Sequence, residues 1–73
     1  MKRFWFTFSD SSPLSDFTQP VLAKTIQDAK SAMYRFYAAF CPYYGMGDEN
    51  PYKKKKRMKT IVVKDGVIKV EFL

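Results

Sequence analysis

The sequence predicts an α+β fold of the order β(β)αββ, in which one helix packs on one face of a three- or four-stranded, mainly antiparallel sheet. Three observations carry this prediction: an alternating apolar start, an apolar stripe with helical spacing, and an Asp-Gly pair between two segments rich in β-branched residues. A chain of 73 residues is one domain at most, so residues 1–73 are expected to share a single small core.

The first strand is predicted over residues 2–8, where phenylalanines alternate with other residues at the period of a half-buried strand. The core side of this strand is Phe4, Phe6 and Phe8. Trp5 then lies on the outer face, where it is either covered by another element or available to a partner.

A polar stretch over residues 9–16 predicts a turn that ends this strand. Residues 17–24 allow two interpretations: Thr18 caps a helix with Pro20 in its first turn, or the segment returns as a short edge strand that tolerates Pro20. The edge strand is favoured, because a better helix start follows at Thr25.

The helix is predicted over residues 26–40. Thr25 is placed to cap it, and Asp28 follows three residues on, in the approximate arrangement of a capping box. The apolar positions fall within one arc at 3.6 residues per turn, which is typical of a side facing the core. They are Ile26, Ala29, Met33, Phe36, Tyr37 and Phe40. Pro42 disfavours further helix, and a long aromatic and basic loop is expected over residues 42–57.

The chain is expected to end in a β-hairpin. Asp65-Gly66 is a preferred pair for a two-residue type I′ turn, and it lies between residues 59–64 and 67–72. The expected partners are Lys64 with Val67, Val63 with Ile68, and Ile61 with Val70. One face of the hairpin is apolar and consists of Ile61, Val63, Ile68, Val70 and Phe72.

The sheet face away from the helix has no second helix to cover it. We therefore expect a mixed apolar and basic surface that is either a binding platform or a dimer contact. Its predicted residues are Arg3, Trp5, Val62, Lys64, Val67 and Lys69.

The positive charge of the chain is concentrated near its end. Lys and Arg number 13 against seven Asp and Glu, a net charge of +6, and the residues from 51 onwards carry all of this excess. Six cations lie close together: Lys53, Lys54, Lys55, Lys56, Arg57 and Lys59. Tyr43, Tyr44, Tyr52 and Trp5 are residue types that stack on unpaired bases. This pattern favours single-stranded nucleic acid as partner, while a solvated linker or docking to an acidic protein remain open.

Other classes of function find little support in the composition. There is no histidine, and Cys41 is the single cysteine, so no ordinary zinc site and no internal disulfide is expected. We expect no enzyme activity, no metal and no cofactor. A reducing cytoplasm fits one unpaired cysteine, and no signal peptide or membrane segment is expected.

Part of the first half resembles a known viral family. Phe6-Thr7 is followed by Asp10-Ser11, and Pro20, Ala23, Thr25 and Ala29 come next. Their order and approximate spacing are similar to the amino-terminal region of the small nonstructural protein of gokushoviruses, microviruses with single-stranded DNA genomes. The resemblance covers roughly a third of the chain, and the second half departs from the family's pattern. It implies a phage-encoded accessory protein, in the host cytoplasm, that acts around single-stranded DNA synthesis or packaging.

Three functions follow as hypotheses. The first is a small phage-type accessory protein that binds single-stranded nucleic acid or a nucleoprotein complex through the basic residues and nearby aromatic residues. The second is a phage-encoded, anti-CRISPR-like inhibitor that binds a host enzyme or defence complex. The third is a homodimer that forms through the exposed sheet face around Trp5.

Overall fold

The alternating start of the chain forms the first strand of a mixed sheet in the computed structural model, which describes residues 1–42 and 44–71. Within these residues the chain has one helix and six strands. The elements are β1 (Lys2–Phe6), β2 (Phe17–Ala23), α1 (Ile26–Phe36), β3 (Tyr44–Met46), β4 (Lys56–Arg57), β5 (Thr60–Lys64) and β6 (Val67–Glu71). The predicted α+β class is confirmed, while the predicted count of three or four strands is wrong.

The strand order is β3-β1-β2-β5-β6, and β4 also pairs with β2. Strand β1 is antiparallel to both β2 and β3, and β5 is antiparallel to β6. Strand β2 is parallel to β4 and β5, because α1 carries the chain back before the second half of the sheet begins. The sheet is therefore mixed, and the two additional strands, β3 and β4, lie within the predicted 42–57 loop.

Strand β2 lies in the centre of the sheet, so the predicted edge position is wrong although the predicted strand is confirmed. Pro20 has no N–H for the neighbouring strand, and the ladder changes register beside it. Thr18 is opposite Arg57, and Val21 is opposite Ile61. Between these two pairs β2 advances by three residues, while the chain from β4 to β5 advances by four. One extra residue is thus accommodated between β4 and β5, as in a β-bulge.

Helix α1 begins as predicted and ends early. The hydroxyl oxygen of Thr25 accepts a hydrogen bond from the backbone N–H of Asp28 at 3.2 Å. Tyr37 caps the other end with an extended backbone, and its N–H still donates to the carbonyl of Met33. The predicted end at residue 40 is wrong by four residues, because Tyr37 leaves the helix to place its ring 5.0 Å from that of Phe8.

The core lies between α1 and the β1-β2-β5 part of the sheet. The predicted core side of the first strand is confirmed, because Phe4, Phe6 and Phe8 are buried, although β1 ends at Phe6 and not at residue 8 as predicted. Of the predicted helix stripe, Ala29 and Met33 are buried. Ile26, Tyr37 and Phe40 pack against this core while partly exposed. Phe36 does not belong to the core, since 48% of it is exposed, and Ala32 is buried instead.

The predicted hairpin is confirmed. Strands β5 and β6 pair in the expected register, and Asp65 and Gly66 have φ values of 53° and 77°, as a type I′ turn requires. Ile61 is buried on the face that meets the helix. Val70, expected on that face, is 46% exposed, and Phe72 lies outside the described residues.

The outer sheet face is covered around Trp5, so of the two alternatives for this residue the cover by another element is confirmed, and the exposed platform that included Trp5 is wrong at this position. Trp5 is fully buried, and its indole N–H donates to the carbonyl of Gly47 at 2.8 Å. Val62 on this face is half-buried, while Lys64, Val67 and Lys69 are exposed. A homodimer contact built around an exposed Trp5 is therefore not available.

In the part of the chain that the structure describes, no helix is long and apolar enough to cross a bilayer.

Candidate functional site

The cations of residues 53–59, here called the basic segment, are anchored to the sheet by their backbone. Strand β4 lies in the middle of this segment and pairs in parallel with the start of β2. The N–H of Lys56 donates to the carbonyl of Asp16 at 2.7 Å, and that of Met58 donates to Thr18 at 2.9 Å. The basic segment is therefore held along one edge of β2 and does not form a free tail.

Most side chains of the basic segment point to solvent. The exposed cations are Lys53, Lys54, Lys56, Arg57 and Lys59. Lys55 differs from them, because it is half-buried and its ammonium group donates to the backbone carbonyl of Ser15. Lys55 thus has a structural role in joining the segment to the turn before β2, while five cations remain at the surface.

Arg57 is held more firmly than a solvated arginine. Its guanidinium carbon lies 5.4 Å from the ring centroid of Trp5, the geometry of a cation–π contact. One of its terminal nitrogens, Nη2, also donates to the hydroxyl of Thr60 at 3.2 Å. Trp5 therefore contributes to the site by orienting a cation, and its burial prevents it from stacking on a base as predicted.

The chain between β3 and β4 folds over the Trp5 side of the sheet. Gly45 is the partner of Trp5 across β1 and β3, and a Cβ atom added at Gly45 would lie 2.8 Å from Cγ of Pro51. Asn50 fastens this connection, because its side chain accepts from the N–H of Tyr52 at 2.8 Å and donates to the carbonyl of Lys55 at 3.3 Å. Hydrogen bonds between residues of the predicted loop therefore stabilise its conformation.

The predicted tyrosines contribute less than the sequence indicated. Tyr52 is half-buried and its hydroxyl oxygen is buried. Tyr43 lies outside the described residues, and so does the side chain of Tyr44, whose backbone belongs to β3. Their role as stacking residues stays a prediction.

The remaining predicted residues lie in two separate places. Arg3 is mostly buried, and its Nη1 lies 3.8 Å from a carboxylate oxygen of the exposed Asp48, a pair that contributes little in water. Lys64 and Lys69 come together on the hairpin, where they line an open depression of about 410 Å³ with Val62, Asp65 and Val67. Of the predicted site residues on this face, Lys64 and Lys69 therefore lie on one surface of the hairpin.

A cleft that the sequence did not indicate lies between the end of α1 and the basic segment. Its volume is about 390 Å³, within the range of ligand sites. The lining residues are Gln19, Phe36, Tyr37, Arg57, Met58, Lys59, Ile61 and Val70. Phe36, Met58, Ile61 and Val70 are its apolar members, and the guanidinium of Arg57 is directed away from the cleft, to Trp5 and Thr60. The early end of α1 after Phe36 creates this cleft, and no proline or glycine marks that end in the sequence.

The polar groups on the floor of the cleft bind each other. The side-chain N–H groups of Gln19 donate to the carbonyls of Pro20 at 2.8 Å and Lys59 at 2.6 Å. Its carbonyl oxygen accepts from the Tyr37 hydroxyl at 2.8 Å. Burial raises the pKa of the Tyr37 phenol above its ordinary value.

Comparisons with protein-family models, with curated proteins and with solved structures found no match for this chain. The gokushovirus resemblance of the first half therefore stays a prediction.

Proposed function

We propose that this protein binds single-stranded nucleic acid, or a nucleoprotein complex, through the basic segment. The observation that carries the proposal is the anchoring of this segment to β2 while five of its cations are exposed. A row of positive charges on an anchored backbone attracts a phosphate chain, and each neutralised phosphate releases condensed counterions. Because the backbone of the segment is already held in place, binding orders little additional chain.

Single-stranded substrates are favoured over a duplex. The basic segment lies on β4 and the turns beside it, and the one helix among the described residues carries no part of it, so these cations are not presented on a helix that could enter a major groove. A binding protein without catalysis is the simplest form of this function, consistent with an accessory role near single-stranded DNA that the gokushovirus resemblance implies.

The first test replaces two exposed lysines. Binding of labelled oligothymidylate is measured by fluorescence anisotropy over a range of salt concentrations. Lys53→Gln combined with Lys54→Gln should weaken binding at low salt and reduce the log-log salt slope by about 1.4, because each phosphate contact on a single strand contributes about 0.7. Lys55 is left unchanged, since its ammonium group binds the carbonyl of Ser15.

The matched control removes two exposed lysines elsewhere, by Lys2→Gln combined with Lys24→Gln. This control lowers the net charge equally but leaves the basic segment intact, so its salt slope should stay close to that of the unchanged protein. Equal slopes for the two variants would show that net charge alone attracts the oligonucleotide and would contradict the proposal.

Inhibition of a host enzyme or defence complex is the second candidate function. It is favoured by the apolar residues exposed on β6, where Val67 is 52% and Val70 is 46% exposed. An edge strand with exposed valines can bind another protein by adding to its sheet. Retention of a host protein on the immobilised chain after nuclease treatment, and its loss with Val67→Lys, would support this candidate over nucleic acid.

A further inference from the structure

We infer that β6 pairs with β6 of a second copy of this chain, antiparallel and about a two-fold axis at Val70. This inference goes beyond the proposed function and does not rest on it, because the basic segment takes no part in the pairing. Strand β5 pairs with one side of β6, and among the described residues no strand pairs with the other side. An uncovered strand edge is a template for pairing with another chain.

The register of the hairpin shows which backbone groups of β6 are directed away from β5. The two-residue turn closes on the pair Lys64 and Val67, the positions that a turn of this kind joins by a hydrogen bond. Hydrogen-bonded and non-hydrogen-bonded pairs alternate along an antiparallel ladder. Lys69 therefore bonds to β5, and the N–H and carbonyl groups of Ile68 and Val70 are directed outwards. A second strand has to place its own outward groups opposite these.

Charge selects one of the registers that this pattern allows. With the two-fold axis at Lys69, the lysines of the two copies would be directly opposite each other, and like charges at such positions are unfavourable. With the axis at Val70, Lys69 is opposite Glu71 of the second copy, twice by symmetry. Glu71 belongs to β6 by its backbone, and its pairing with Thr60 fixes its place in this register. Opposite charges at facing positions stabilise a pair of strands.

Strand β6 has little else that would keep its edge from pairing. It contains no proline, and its register with β5 continues over five pairs without a bulge. Lys69 is its one cation, a residue type that commonly protects an edge. In the pairing about Val70 this lysine meets an opposite charge, whereas an axis at its own position is disfavoured. Lys69 thus selects one register and does not prevent pairing.

The same axis brings apolar surface of the two copies together. Val70 is 46% exposed, and it lines the cleft at the end of α1 together with Phe36, which is 48% exposed. Two strands that are related by a two-fold axis in one sheet present the same face to the same side. The pairing therefore covers Val70 at the axis and places both clefts on one side of the joined sheet.

The test is the mass of the protein in solution, measured by sedimentation equilibrium at about 0.15 M salt, where the Debye length of about 8 Å screens the net charge of each copy. Between about 1 µM and about 1 mM protein, a range that includes weak and moderately strong dimers, the mass should rise from 8.6 kDa towards twice that value. The emission of the buried Trp5 checks that each variant is folded.

Two charge reversals and their combination test the register. Lys69→Glu and Glu71→Lys should each weaken association by at least about 4-fold, because each replaces two opposite-charge pairs by two like-charge pairs. The first lowers the net charge and the second raises it, so a loss in both cannot come from net repulsion. The double variant should restore association, since it exchanges the two charges and keeps the pairs.

Lys64→Glu is the matched control, because it reverses a charge on the same hairpin at a position opposite Val67, before the residues that pair. It should associate like the unchanged protein. A mass of one chain at about 1 mM would overturn the inference, and retention of a host protein by such a monomer would indicate that β6 takes a strand of another protein. Association that the double variant fails to restore would show a different contact between copies and would also overturn it.

Discussion

Gln19 and Tyr37 connect three parts of the molecule at the level of single residues. Gln19 is 2% exposed, and its amide joins β2 to the carbonyl of Lys59, in the bulged stretch between β4 and β5. The hydroxyl of Tyr37 then joins the end of α1 to the same amide. Because the Gln19 side chain is buried, loss of the Tyr37 hydroxyl or of the contact with Lys59 would leave part of its amide without a hydrogen-bond partner.

The ionisation of Tyr37 predicts how stability changes in alkaline solution. Burial raises the pKa of its phenol above the ordinary value of 10.0, so the unfolded chain loses this proton at a lower pH than the folded protein. The contribution of Tyr37 to the free energy of unfolding is fully present below about pH 10. It should fall as the pH rises through the folded pKa.

Urea unfolding of the unchanged protein and of Tyr37→Phe, each from about pH 8 to pH 11, measures this effect. Titration of the lysines is common to both proteins, so the difference in free energy of unfolding isolates the phenol. We expect this difference to shrink above about pH 10. A constant difference for Tyr37→Phe would contradict the prediction.

At the level of elements, β3 and the chain that follows it form a cover over Trp5. The short strand leaves space at Gly45, and Pro51 occupies that space. Gly47 then supplies the carbonyl that accepts from the indole N–H of Trp5. The basic segment follows directly, so the cover and the candidate site belong to one continuous stretch of chain.

Gly45→Ala should displace this cover. The added Cβ would lie 2.8 Å from Cγ of Pro51, and relieving this overlap costs about 1 to 3 kcal/mol of stability. Because Trp5 is the only tryptophan, its fluorescence reports on the cover and should shift to longer wavelength as water reaches the ring. Met46→Ala, which truncates a 62% exposed side chain in the same strand, should leave the emission unchanged. An unshifted spectrum for Gly45→Ala would show that Pro51 moves without uncovering Trp5.

The same elements show which features could be predicted from sequence. The hairpin and the start of α1 depend on local residues, Asp65-Gly66 and Thr25, whose backbone preferences act within a few positions. The cover over Trp5 and the central position of β2 depend on residues about 40 positions away, Gly47 for Trp5 and Lys59 for Gln19. No local preference encodes such pairings.

The candidate site divides in the same way. The basic segment could be recognised from the sequence, because charge follows directly from composition. It lies directly before the hairpin, as predicted. The anchoring of this segment to β2 could not be predicted, because a proline such as Pro20 normally indicates an edge strand. In this fold the register shift and the Gln19 amide accommodate Pro20 in a central strand. The cleft at Phe36 depends on the early end of α1, for which the sequence has no signal before Pro42.

For the whole molecule, the uneven distribution of charge opposes folding. The net charge of +6 comes from the residues after 50, and β4 holds the basic segment in a fixed arrangement that the unfolded chain does not impose. Like charges held together repel one another, and salt screens this repulsion. A bound polyanion would relieve it, which connects the stability of the fold to the proposed function.

Neutralising part of the basic segment should therefore stabilise the protein. Lys53→Gln combined with Lys54→Gln should raise the thermal midpoint by about 1 to 3 °C at about 10 mM salt, and the gain should disappear at about 1 M salt, where the Debye length falls to about 3 Å. Lys2→Gln combined with Lys24→Gln lowers the net charge equally but outside the basic segment, so its midpoint should rise less at low salt. A lower midpoint for the Lys53 and Lys54 variant would show that these side chains stabilise the fold. It would contradict the prediction that charge repulsion in the basic segment lowers the stability of the protein.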